Sequence, residues 1–370
     1  MQTPAITQLR GYALAHARAS AKSGSLQKRM NDRILEHYLE EFVIGSDVPA
    51  AETETLFDAL IGSDDAALLA KTLSAWNRKG VAEDELFAFA SLMRGRMKRI
   101  NSVHETLVDA VGTGGSCAKT FNVSTAAAFV IAGTGLSVAK HGNRAATSSS
   151  GSADVLTTLG IDVDVDPSIS ERSLNDHGLC FMFAPRFHSL SKALAEARRS
   201  IGSPTIFNNL GPLCNPASTP HHVIGVWDKH LLESTANVLS RLGAKRSWVV
   251  YGETGLDEIA LKGTTLVAEV GGEKADIFEI SATDFDVFTL GTDLPSNCTA
   301  AESARLIRDI LKNNLKGSDV ERLVLINAAA ALYVAGKAAD LPVSYKLAEE
   351  SVRSGSALDK LNKLIASTNR

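Results

Sequence analysis

Apolar positions recur at helical spacing through the first hundred residues. Ile34, Leu35, Tyr38, Leu39 and Phe42 form one stripe over 31–42, and 52–61, 65–76 and 83–100 repeat the period, with breaks at Gly62-Ser63 and Lys79-Gly80. This predicts an all-helical unit. Its apolar faces (Leu56, Leu60, Leu69, Leu73, Phe87, Leu92) must bury against each other or against a second subunit. After His104 the pattern changes to short apolar runs separated by helical stretches. Strands are expected at 107–111, 136–139, 161–165, 180–183, 223–226 and 248–251, and helices at 125–131, 152–159, 168–175, 191–200 and 231–242. Repeated β-α-β order predicts a mostly parallel sheet covered by helices. Two further runs, 264–270 and 275–280, flank Gly271-Gly272 and read as an edge hairpin, and helical spacing returns over 300–315, 319–335 and 341–354. The fold class is α/β: a small all-helical N-terminal domain plus a large α/β domain with a mostly parallel central sheet.

Length and composition narrow the function. The 370 residues favour two structural units, and 45% hydrophobic with 22% charged residues is ordinary for a soluble globular chain. A net charge of −4 with 6% aromatic residues argues against a dedicated nucleic-acid binder. No apolar run reaches the length of a membrane span, and no signal-peptide core follows Met1. Cys117, Cys180, Cys214 and Cys298 are far apart without a Cys-x-x-Cys pair, the usage of a reduced, cytoplasmic protein. Before Asp32 the chain is basic (Arg10, Arg18, Lys22, Lys28, Arg29) with no acidic residue; a solvated arm is the plain reading, an organelle-targeting segment the alternative.

Candidate chemistry starts at 111–125. An apolar strand runs into Gly112-Thr113-Gly114-Gly115, and Asn122, Ser124 and Thr125 stand where the next helix begins. Glycines let backbone approach a ligand, and a helix start offers N–H groups and a dipole to an anion, here a phosphate or pyrophosphate. The spacing fits neither the P-loop nor the dinucleotide fingerprint. Lys140-His141-Gly142-Asn143-Arg144 follows the second strand, at the end where ligands gather in parallel sheets, and Lys140 and Arg144 bring positive charge. The polar run 147–152, ending in Ser152, opens another helix. Asp257-Glu258 follows a strand and suits Mg²⁺, which takes few carboxylates alongside phosphate oxygens. Arg198-Arg199 can grip a carboxylate, and the Gly-, Pro- and Asn-rich 208–216 reads as a long irregular functional segment. Each feature alone is ordinary loop or surface; their combination is not.

Gly112-Thr113-Gly114-Gly115, Asn122-Val123-Ser124-Thr125, Lys140-His141-Gly142-Asn143-Arg144, Ser149-Ser150-Gly151-Ser152-Ala153-Asp154, Phe183-Ala184-Pro185-Arg186-Phe187-His188, Asn208-Asn209-Leu210-Gly211-Pro212-Leu213-Cys214-Asn215-Pro216 and Gly255-Leu256-Asp257-Glu258 together resemble the anthranilate phosphoribosyltransferases. The resemblance runs from about Val48 to the C-terminus. It implies an N-terminal helical extension at 1–46, a small helical domain at 47–104 with a contribution from about 188–216, and a large α/β domain at 105–370. It also implies a homodimer with its active site in the cleft at the hinge. Phosphoribosyl pyrophosphate (PRPP) would be held by Gly112, Thr113, Gly114, Gly115, Ser116, Thr120, Asn122, Ser124, Thr125, Lys140 and Ser152. Anthranilate would meet Gly112, His141, Asn143, Arg198 and Gly211, with Arg198 on its carboxylate. Ser124, Asp257 and Glu258 would hold Mg²⁺, and no side chain acts as nucleophile.

Two positions depart from the family pattern. Ser116 stands where the family has an acid, which removes a carboxylate from any two-ion arrangement, and Ser191 replaces a large apolar residue near the acceptor. The expected function is Mg²⁺-dependent phosphoribosyl transfer to the amine of anthranilate, in tryptophan biosynthesis, with no nucleic-acid or membrane partner. The alternatives are a related transferase with another aromatic acceptor, or a non-catalytic relative that binds nucleic acid.

Overall fold

The computed structural model describes residues 22–369, apart from 117, 119, 146–149, 254 and 273. The basic segment before Lys22, and 147–149 of the polar run, therefore lie outside the described residues. Contacts divide the chain into two compact units, one comprising 1–92 with 189–206, the other 93–188 with 207–370.

The smaller unit is helical: α1 (Lys22–Val43), α2 (Thr53–Gly62), α3 (Ala66–Lys79) and the start of α4 (Glu83–Arg96), joined later in the chain by α9 (Lys192–Ile201). The apolar stripes close on one aromatic centre, where Trp76 stacks on Phe42 with ring centroids 4.9 Å apart and meets the edge of Phe89 at 5.0 Å. Glu85 is the polar hinge of this core. It accepts from the Trp76 indole (2.9 Å) and from the backbone N–H of Val48 and Ala82 (both 2.8 Å), so burying the carboxylate leaves no unmet acceptor cost. α9 packs on α3 and begins at Ser191, whose hydroxyl accepts the Leu194 N–H at 3.1 Å.

The larger unit is built on a seven-stranded sheet in the order β3-β2-β1-β4-β5-β6-β7: β1 Leu107–Gly112, β2 Ser137–Gly142, β3 Leu179–Phe183, β4 His221–Gly225, β5 Arg246–Gly252, β6 Thr264–Val270 and β7 Asp276–Ser281. The first five are parallel; β6 and β7 are the antiparallel hairpin expected at the edge. On one face Val108, Val138, Phe181, Val223 and Trp248 pack under α5 (Val123–Gly133), α12 (Ala300–Leu311) and α13 (Asp319–Val334). On the other, Leu107, Ala139, Cys180 and Met182 pack with Leu174 and Phe187. Helices α6 (Ser152–Thr158), α7 (Pro167–His177), α8 (Ala184–Phe187) and α11 (Leu231–Arg241) lie in the connections between strands, and α14 (Leu341–Arg353) packs on α13.

Two expectations need correcting. Residues 161–165 are not a strand: Ile161, Val163 and Val165 are buried and Asp162 and Asp164 exposed, so the alternation is real, but the segment pairs with no neighbour. Burial on one side alone produces a period of two. The segment 208–216, expected to be irregular, is helical as far as Leu213 within α10 (Ile206–Leu213), with Pro212 tolerated in its last turn and Ile206, Phe207, Leu210 and Leu213 buried. Packing there overrides composition. A further helix, α15 (Ser356–Thr368), follows the three C-terminal helices expected.

Candidate functional site

β1 lies between β2 and β4, so chain order reverses at the β1–β4 gap. An open parallel sheet leaves a crevice at the C-terminal strand ends of such a gap. Gly112 and Gly225 end β1 and β4 there, in register. Asp257, from the loop after β5, is laid directly across both. A methyl on Gly225 would overlap the Asp257 carbonyl oxygen, and one on Gly112 would stand 2.5 Å from its Oδ2. Only glycine at these two strand ends admits the acid. The turn then wraps it: Gly114, at φ +66, donates its N–H to Asp257 Oδ2 at 3.0 Å, and Thr113 bonds the Gly225 carbonyl through its N–H (2.8 Å) and hydroxyl (3.0 Å). Gly115 is also left-handed, at φ +93. Asn208 of α10 donates to the Thr113 carbonyl at 3.1 Å.

Glu258 sits beside Asp257. Burial and the neighbouring Asp257 charge push its carboxyl well above the usual range, partly offset by Thr120, whose hydroxyl donates at 3.4 Å, and by Lys140. A carboxyl burdened by a neighbouring like charge is what a divalent cation relieves. Among the described residues no cluster of three Asp, Glu, His or Cys side chains could hold a metal by itself. Two carboxylates plus a hydroxyl fit Mg²⁺, which draws its remaining ligands from substrate phosphate and water.

α5 begins just after Thr120, whose hydroxyl reaches Glu258. Its N-cap, Asn122, makes no side-chain cap bond and instead accepts the Ser150 hydroxyl at 2.8 Å, while the Val123 and Thr125 N–H groups bond the Phe121 and Asn122 carbonyls at 2.8 and 3.1 Å. Lys140, 3% exposed, donates to the Ala110 carbonyl (2.8 Å) and the Ser124 hydroxyl (3.3 Å). Burial lowers its pKa, while Asp109 and Glu258 hold it up. Thr125 is buried, its hydroxyl without a partner among the described residues.

Lys140 and His141 are consecutive on β2 and so point to opposite faces. His141 Nδ1 lies 3.0 Å from the Gly211 carbonyl, which can only accept, so Nδ1 carries the proton. Its Nε2 is then bare and accepts from His188 Nε2 at 3.3 Å. Burial lowers the His141 pKa to about 3 and that of His188 to about 4, so both rings are neutral. Asn143 is exposed, its Oδ1 taking the Arg144 N–H at 2.8 Å, and Ser152 donates to the Asn143 carbonyl at 3.4 Å.

The larger unit thus brings together Gly112, Thr113, Gly114, Gly115, Ser116, Thr120, Ser124, Lys140, Asp257 and Glu258, with His141 and Gly211 on the other face of β2. Arg198 stands in the last turn of α9 in the smaller unit, where burial lowers its pKa to about 10. Arg144, expected to offer free charge, is committed: it pairs with Asp154 at 2.9 Å, and Asp154 also accepts the N–H groups of Ala145 and Gly151. Both departures have local work. The Ser116 hydroxyl bonds the Gly255 carbonyl, tying the glycine turn to the loop that carries the acids, and Ser191 caps α9. Gly225 and Asp109 escaped the sequence reading. Each carried a signal: a glycine closing an apolar strand, and an acid inside one.

The model of the glycosyl transferase family a/b domain matches residues 104–358. An anthranilate phosphoribosyltransferase from Desulfosudis oleivorans is 40% identical over 331 residues, 89% of this chain and 97% of that protein. The solved anthranilate phosphoribosyltransferase (TrpD) of Thermus thermophilus is similar at a TM-score of 0.79 and 34% identity, over 90% of this chain and 99% of that one. That of Saccharomyces cerevisiae in complex with PRPP and Mg is similar at 0.80 and 25%, over 91% and 98%.

Proposed function

The chain belongs to the anthranilate phosphoribosyltransferase family, and from that premise we propose that it transfers the phosphoribosyl group of PRPP to the amine of anthranilate, with Mg²⁺, in tryptophan biosynthesis. It is a transferase of the glycosyl-transferring type. The observation that carries the substrate reading is the seating of Asp257 on Gly112 and Gly225, which sets an acidic metal-type edge against the glycine turn.

In this reading Gly112, Thr113, Gly114, Gly115, Ser116, Thr120, Asn122, Ser124, Thr125, Lys140 and Ser152 bind PRPP. Its pyrophosphate lies against the glycine turn at Gly115 and the start of α5, with Lys140 supplying charge from within the sheet. The aryl amine forms the C–N bond at the anomeric carbon as the C–O bond to pyrophosphate breaks, and the surplus amine proton leaves to solvent or pyrophosphate. No side chain is needed as nucleophile; the residues hold both reactants in line. Mg²⁺ on Asp257, Glu258 and Ser124 would neutralise the charge developing on the departing pyrophosphate. Gly112, His141, Asn143, Gly211 and Arg198 serve anthranilate, Arg198 through its carboxylate. A neutral His141 offers no competing cation to that acid.

The chain is read as a homodimer of the cytoplasm; among the described residues no helix is long and apolar enough to cross a membrane. The helical extension 1–46 and the small domain 47–104 with 188–216 are assigned to support, the domain 105–370 to PRPP. The test is an acceptor screen with PRPP and Mg²⁺. Loss of anthranilate fluorescence with stoichiometric pyrophosphate release is expected. PRPP binding without anthranilate turnover would favour another aromatic acceptor instead.

A further inference from the structure

The acid in the middle of β1 takes no part in the chemistry above. Asp109 is fully buried, on the sheet face that carries Ala139 and Cys180 rather than the one that carries Lys140. Its Oδ2 accepts the Asn215 amide at 2.8 Å and, at 3.4 Å, the backbone N–H of His141. Its Oδ1 has no partner among the described residues. Asn215, 1% exposed, also donates to the Ala139 carbonyl at 2.8 Å, and its own oxygen accepts the Ala217 N–H at 2.9 Å. Four residues before it, the Gly211 carbonyl receives the His141 ring. The segment 211–215 is therefore fastened at both ends to β2, and His141 is held twice, by backbone to Asp109 and by ring to Gly211.

We propose that Asp109 and Asn215 are positioning residues for the aromatic acceptor: they touch neither substrate, and they fix where the Gly211 carbonyl and the His141 ring stand. The inference rests on the reading that His141 and Gly211 serve anthranilate. A buried carboxylate with one oxygen unmet costs stability, and an apolar side chain of similar volume would pack there more cheaply. What the acid gives in return is direction: in a low-dielectric interior its bond to the Asn215 amide has one geometry, and slippage strands a charge. The groups facing it are the Cys180 thiol on β3 and His222, its register partner on β4, while the Lys140 charge acts on it from the other face of the sheet. Among the described residues none of these bonds Oδ2 in place of Asn215.

The test compares Asp109→Ala, Asn215→Ser and Asp109→Asn with the unaltered enzyme, using PRPP, Mg²⁺ and anthranilate. Asp109→Ala and Asn215→Ser are expected to raise the anthranilate KM about tenfold, with the PRPP KM within about twofold and kcat within about threefold. Asp109→Asn, which keeps an oxygen for the Asn215 amide, restores most of the loss. In ¹⁵N-histidine spectra the Nδ1-protonated signature of His141 is expected to blur in the first two variants and persist in the third. Equal rises in both KM values, or an unchanged KM ratio with an unchanged His141 tautomer, overturn the proposal. If Asp109→Ala does not fold, Asn215→Ser decides alone. If the unaltered enzyme leaves anthranilate intact, the acceptor reading has failed, and the His141 spectra still decide whether Asp109 and Asn215 set the ring.

Discussion

Glu258 shows what a side chain placed for chemistry costs its own fold. Its desolvated carboxyl, raised further by Asp257, is held at a loss in the free protein. Glu258→Gln is expected to leave the melting temperature unchanged or higher while cutting kcat/KM at least ~100-fold, about 2.7 kcal/mol of lost transition-state stabilisation. Matched drops in stability and activity would contradict a metal role. The buried histidines give a second residue-scale expectation. His141, His188 and His222, near pKa 3, 4 and 3, stay neutral in the fold but take up protons near pH 6.5 once unfolded, so their contribution is lost as pH falls below 6.5. Asp109, raised to about 6, works in the opposite sense by taking up its proton first in the fold. At pH 5 the unfolded chain binds a net excess of about two protons from these four groups, which Glu258, also raised, reduces without cancelling. Thermal melts from pH 7 to 5 should show a steady fall in melting temperature, and a flat profile would contradict the assigned charge states. None of these shifts could be read from the sequence, because burial at single atoms is a property of the packed state.

At the scale of elements, the register of β1 with β4 does the organising. It sets Gly112 beside Gly225, and Asp257 fills the space that two missing Cβ atoms leave. Gly225→Ala is expected to displace the Asp257 backbone, costing about 3 kcal/mol of stability and most of the activity, whereas a melting curve and kcat/KM like those of the parent would show the contact to be incidental. The glycine turn and the acid pair were each legible in the sequence, since strand, glycine and helix follow one another within about twenty residues. Their meeting across a long stretch of intervening chain was legible only through family resemblance. The mistaken strand at 161–165 and the missed helix at 206–213 share one cause. Periodicity reports burial, and pairing or coiling of a short segment is decided by neighbours that a local window does not contain.

For the molecule as a whole, the texture along the chain changes at His104, whereas contacts put 1–92 with 189–206 in one unit and 93–188 with 207–370 in the other. That return places Arg198 on a helical scaffold away from the strand ends in sequence, and no local pattern announced it. If Arg198 serves the anthranilate carboxylate, Arg198→Ala should raise the anthranilate KM about 30-fold and leave the PRPP KM within about twofold, the signature of one lost charge-assisted pair. Equal rises for both substrates would assign it elsewhere. A crystal structure of the protein with PRPP and Mg²⁺ tests whether the glycine turn and the two acids share one bound molecule. Pyrophosphate is expected against the Gly112–Gly115 turn and the start of α5, with the cation on Asp257 and Glu258; PRPP bound away from that turn, or a cation that touches neither acid, would contradict the proposed site.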